Sequence, residues 1–154
     1  MPLRTHPLKT MTLTVCAAAL TACSDTVEDT RPGQPVKHRQ EAFKDILRVF
    51  EPMGTMLRTN SYDADRFALM AEALLERRDG PWSFFADDTY YPPTKAREAV
   101  WTRPDDFAAH MQAFVDATDA LFEAAQTREL ARVTSAYDNA YGTCRNCHED
   151  FRKR

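Results

Sequence analysis

The chain has 154 residues, of which 44% are hydrophobic and 10% aromatic, enough for one packed core and too few for two. With 28% charged residues and a mean hydropathy of −0.53, the chain as a whole is neither a membrane bundle nor disordered. Only four Gly, beside many Ala, Leu, Met, Glu and Arg, argue against an all-β protein and for helices.

Arg4, His6 and Lys9 precede a run over 11–22 that is apolar or small throughout and reaches Cys23 without an Asp or Glu. A basic stretch followed by a short apolar one is an export signal. A membrane span needs about 20 apolar residues, and this run is shorter and broken by Thr12, Thr14 and Thr21. Leu20-Thr21-Ala22-Cys23 resembles the lipobox of bacterial lipoproteins, in which the peptidase cuts before a Cys whose thiol takes a diacylglycerol. On that reading residues 1–22 are a lipoprotein-type signal peptide and Cys23 is the lipidated mature N-terminus. The domain then stands in the periplasm of a Gram-negative bacterium, anchored to the inner or outer membrane. The alternative is an ordinary signal peptide that happens to contain Cys, and Cys16 is discarded either way.

Cleavage moves the net charge from −3 to −5, because Arg4 and Lys9 leave and no acid does. No basic patch with interleaved aromatics precedes Arg152-Lys153-Arg154, so nucleic acid is not expected as a partner. Residues 23–35 are polar, with two Pro and one Gly, and read as a flexible tether. The folded domain is expected over 36–154.

Four amphipathic segments follow. Phe43, Ile46, Leu47, Phe50, Met53 and Leu57 recur at three- and four-residue steps, one helix face, with a kink predicted at Pro52. Phe67, Met70, Ala71, Leu74 and Leu75 form a second stripe that starts at Ser61 or Asp63 and stops at Gly80-Pro81. The aromatic-rich segment 81–103 has no helical period and reads as a long crossover loop pinned against the bundle. Pro104 opens a third stripe of Phe107, Met111, Phe114, Val115, Thr118, Leu121 and Phe122. The fourth runs through Leu130, Val133, Tyr137, Tyr141, Cys144, His148 and Phe151. The expectation is an all-α, up-down-up-down four-helix bundle.

The chemistry lies in Cys144-Arg145-Asn146-Cys147-His148, the attachment pattern of a c-type haem. Each thiol adds across a haem vinyl to form a thioether, and the adjoining imidazole coordinates the iron axially. On a helix, residues 144, 147 and 148 fall within an arc of about 100°, so all three address one porphyrin face. A plain Cys-x-x-Cys redox site belongs at a helix start in a βαβ context, which is missing, and zinc requires two more ligands. One covalent haem c per chain is expected, and export agrees with it.

A single haem motif near the C-terminus, on the last of four helices, resembles the class II c-type cytochromes, the cytochrome c-prime family. The resemblance covers about residues 36–154. It is carried by Val36-Lys37-His38-Arg39-Gln40, Pro52-Met53, Pro81-Trp82, Trp101 and the haem motif followed by Phe151-Arg152-Lys153. The family commonly has Tyr where this chain has His38. Low-spin members place a Met four residues after the Arg matching Arg39, and that position here is Phe43. Phe has no lone pair, so the resemblance implies a five-coordinate iron under an apolar distal pocket, with Arg39 near the haem edge and propionates. Met53 and Met56, about 15 Å or more along the same helix, are out of reach. Met70, Met111 and His38 remain as other sixth ligands, and simple core packing remains as another role for Phe43.

No acid–base or nucleophilic constellation appears, so no enzyme is expected. One function class is a gas-binding haem protein for NO or CO, since an apolar pocket offers no hydrogen bond to bound O2. The other is an electron carrier with a redox protein partner and an unidentified sixth ligand; a sensor is a third. The resemblance also implies a homodimer through the first two helices. Their outer faces carry Lys44, Asp45, Arg48, Arg77 and Arg78, which favours solvation instead.

Overall fold

The computed structural model describes residues 28–154; the signal peptide read over 1–22 and the lipidation site Cys23 lie outside the described residues. The elements are α1 (Pro35–Arg58), α2 (Ala64–Arg77), a 3-10 turn (Trp82–Phe84), the short α3 (Ala99–Thr102), α4 (Pro104–Thr127) and α5 (Leu130–Phe151). Short connections over 59–63 and 128–129 make α1 with α2, and α4 with α5, antiparallel pairs. α2 also packs on α4, and α1 meets α5 where the rings of Phe50 and Tyr137 stack at 4.4 Å, closing an up-down-up-down bundle. The crossover loop is more regular than its sequence suggests, holding the 3-10 turn and α3.

Local chemistry explains the helix ends. Asp63 caps α2 by accepting the amide of Arg66 at 3.0 Å, and Pro104 sits in the first turn of α4, ahead of Asp105 and Asp106 at the positive end of the helix dipole. Gln34, before α1, provides no side-chain cap. The cap comes from Asp29, whose carboxylate accepts the amides of Val36 at 2.9 Å and Lys37 at 3.2 Å. Asp29 is 1% exposed, so the stretch 29–34, read from composition as part of a tether, is docked on the domain. α1 continues through Pro52 as one helix.

Phe67, Met53, Leu74, Leu121 and Val133 are fully buried at the centre of the core. Several positions depart from the sequence reading, Leu130 at the start of α5 being 49% exposed. Leu47 is 44% exposed and Tyr141 51% exposed, each one position off the buried face that holds Ile46 and Ala140. Arg78, read as part of a charged outer face, is half-buried and reaches α4, donating to the Val115 carbonyl and Thr118 Oγ1, both at 3.2 Å, and to Asp119 at 2.5 Å.

Candidate haem site

The last two turns of α5 carry Cys144, Cys147 and His148. Helical rise and rotation put Cys144 and His148 one turn apart on one face, with Cys147 beside them. Both thiols are free and half-buried; His148 is exposed. Burial pushes each thiol up to about 11, with Cys144 and Asp150 adding to the effect at Cys147, so both stand as S–H at neutral pH. Partial burial of the ring and then the Arg152 guanidinium hold His148 below its ordinary value, favouring the neutral imidazole whose lone pair a metal takes.

An apolar wall leads from this helix end to α1. Phe151, three residues after His148, meets Phe107 of α4 at 5.3 Å, Phe107 meets Phe85 of the crossover loop at 5.0 Å, and Phe85 meets Phe43 at 6.4 Å. Phe43 also sets its edge on Trp82 at 5.5 Å, and Trp82 touches Phe107 and Phe114. Trp82 Nε1 is buried without a hydrogen-bond partner among the described residues, so this end of the core is not closed in its polar accounting. Phe43 is half-buried here and packs against the core, as does Cys144.

Arg39, expected near the haem edge, is held by protein oxygens. It is 3% exposed and enclosed by the crossover loop. Nη1 donates to the Phe84 carbonyl at 3.1 Å and Thr89 Oγ1 at 3.0 Å, and Nη2 to the Thr89 carbonyl at 3.1 Å and Thr94 Oγ1. The guanidinium lies 4.8 Å from the Phe85 ring and 5.7 Å from that of Trp101. Its contacts tie α1 to the loop, so it supports the wall behind Phe43. Thr89 and Thr94, the acceptors, escape sequence reading because they lie 50 and 55 residues away.

Of the other candidates, Met70 and Met111 are half-buried, and Met53 and Met56 belong to the core. His38 is exposed beside Glu41 and Phe84. His110 packs on Phe151 at 5.4 Å with Asp150 at 3.7 Å. Among the described residues, no three His, Cys, Asp or Glu side chains converge on a bare metal ion.

Two free thiols at i and i+3 and a neutral imidazole at i+4, set on the edge of an apolar aromatic core, fit a covalently bound haem. The fold and the donor set together define a helical-bundle c-type cytochrome. The family model described as cytochrome C' matches residues 34–152. Cytochrome c' of Pararhodospirillum photometricum is 38% identical over 125 residues, covering 79% of this chain and 98% of the relative. The solved cytochrome c prime of Shewanella frigidimarina superposes with a TM-score of 0.77 at 28% identity, covering 81% of this chain and 98% of that one. The nitric oxide complex of a cytochrome c prime variant from Alcaligenes xylosoxidans gives 0.76 at 28%, covering 82% and 100%, and a carbon monoxide-bound variant of that protein is similar too. The chain belongs to the cytochrome c' family and carries, as that family does, a covalently attached c-type haem.

Proposed function

We propose that this protein is a periplasmic haem protein that binds NO and CO at an iron left five-coordinate by Phe43. Cys144 and Cys147 would hold the haem as thioethers, and His148 would supply a nitrogen to its iron. When bound, the haem would supply the iron to which a diatomic ligand attaches. Phe43 carries the reading. It stands four residues after Arg39 on α1, its ring is locked edge-on against Trp82 and Phe85, and it offers no lone pair to a metal. The surrounding rings of Phe85, Phe107 and Phe114 are apolar and Trp82 adds a single indole N–H, so the wall is poor in donors for bound O2, while NO and CO need no such donor. The NO and CO complexes of the Alcaligenes xylosoxidans relative support the same chemistry here. NO buffering or detoxification is the role this chemistry suits.

A lipid on Cys23 holds the domain at a membrane, and association through α1 and α2 gives a homodimer. The half-buried Arg78, already committed to α4, removes one charge that opposed such an interface. An absorption spectrum of the ferrous protein tests the central reading. A broad high-spin band that shifts on adding CO is expected. A sharp low-spin band indifferent to CO overturns it and leaves an electron carrier with Met70, Met111 or His38 on the iron.

A further inference from the structure

Beyond α5 the chain pairs with the crossover loop as a short antiparallel ladder. The Arg97 amide donates to the Phe151 carbonyl at 2.8 Å, the Lys153 amide donates to the Lys95 carbonyl at 2.7 Å, and Ala96 faces Arg152 between them. This ladder gathers Lys95, Arg97, Arg152, Lys153 and Arg154. None of the ion pairs among the described residues includes any of the five. These five cations have no carboxylate partner among the described residues and cluster on the paired segments 95–97 and 152–154, which themselves contain no acid, while Asp87, Asp88, Glu98 and Glu149 flank them.

A second observation fixes where the rest of the chain leaves. Lys153 Nζ lies 4.8 Å from the Tyr90 ring. The adjacent Tyr91 carries the Arg31 guanidinium over its ring at 3.9 Å and donates its hydroxyl to Asp29 at 2.9 Å. The N-terminal strap and the basic ladder are therefore held on neighbouring tyrosines. Cys23 precedes Asp29 by six positions, which at full extension spans about 20 Å. Anything anchored at Cys23 keeps this end of the bundle within that distance.

We propose that the ladder, with the 42% exposed Tyr90 beside it, is a membrane-contact surface for the anionic headgroups of a phosphatidylglycerol-containing bilayer. The domain then stands with its haem-attachment end toward the bilayer and its net negative remainder away. Basic side chains near such a surface each strengthen attachment, and an amphipathic Tyr ring suits the interface. The placement rests on lipidation of Cys23; the headgroup affinity is a property of the ladder alone.

The test uses mature holoprotein from Ser24 onward, exported behind a signal lacking a lipidation Cys, sedimented with phosphatidylcholine vesicles with and without phosphatidylglycerol. Binding only to the phosphatidylglycerol vesicles, lost as salt is raised, is expected. Lys95→Glu with Lys153→Glu should weaken it by about thirtyfold or more, and the Gln pair by less. Arg66→Glu with Arg132→Glu changes net charge equally at the opposite end of the bundle and should leave binding within about twofold. Absence of binding at low salt, equal loss in both Glu pairs, or capture by an acidic polypeptide resin but not by vesicles would overturn the proposal. The mass of the native N-terminal peptide reports lipidation separately, so failure of the anchor and failure of the ladder are distinguishable.

Discussion

The Tyr91 hydroxyl donates to the Asp29 carboxylate at 2.9 Å, joining the strap before α1 to the crossover loop 62 residues away. The same carboxylate caps α1 through Val36 and Lys37 and accepts the Arg31 amide at 3.2 Å. One buried charge therefore holds a helix start, a strap and a loop.

Acid sensitivity follows from that arrangement. Burial pushes the Asp29 carboxyl up, and the hydrogen bonds from Lys37, Tyr91, Arg31 and Val36 outweigh it, so the group sits below its ordinary value. A carboxyl depressed in the folded state contributes stability that is complete above its unfolded value of about 3.9 and lost as pH falls through the folded value. Asp29→Asn should cost about 1–3 kcal/mol at neutral pH, and its melting temperature should vary less with pH below about 4 than that of the wild type. Melting followed by circular dichroism across that range decides it; parallel wild-type and variant curves would sink the idea.

Arg39 makes a distinct claim. Its two Nη atoms serve four loop oxygens, a fork that an ammonium cannot reproduce. Arg39→Lys should lose about 2–4 kcal/mol in denaturant unfolding while leaving the spin state of the ferrous protein unchanged. Unaltered stability with a shifted reduction potential would instead put Arg39 at the haem edge.

Gly54 allows a close crossing between α1 and α5. A Cβ there would meet the Tyr137 hydroxyl and lie 2.7 Å from the Tyr137 ring carbon Cζ. Ala is better than Gly in a helix by about 1 kcal/mol, so Gly54→Ala looks favourable from the sequence. The ring, stacked on Phe50, has no room to retreat, and the clash should win by about 1–3 kcal/mol net. Adding Tyr137→Phe should recover part of the loss, because it removes the hydroxyl but not Cζ; a stabilised Gly54→Ala protein would contradict the crossing.

Under the proposed function, Phe43 is the residue that sets gas access. Phe43→Ala should raise the CO association rate on the order of tenfold, equivalent to about 1.4 kcal/mol of barrier, in flash photolysis of the ferrous protein. Phe43→Met presents a thioether at the same position and should give a sharp low-spin spectrum with a raised potential. A Met variant still high-spin would mean that this side chain does not face the iron.

What could be read in advance was local. The haem motif is defined by spacing along one helix, and the stripes of α1, α2, α4 and α5 repeat at the helical period, so both survive without knowledge of neighbours. The cap at Asp63 is equally local, three residues from its donor. The errors sit where a side chain's partner is distant. Composition made 23–35 a tether, yet Asp29 within it is held by Tyr91, and the oxygens that enclose the Arg39 guanidinium lie in a loop 45 or more residues away. Arg78 looked solvated, yet α4 offers it a carbonyl, a hydroxyl and a carboxylate. Periodicity fixes a stripe only to within about one residue, which is why Leu47 and Tyr141 turned outward. A buried charge has to find its hydrogen bonds wherever the fold brings them, and that pairing is decided only when the helices and the crossover loop come together.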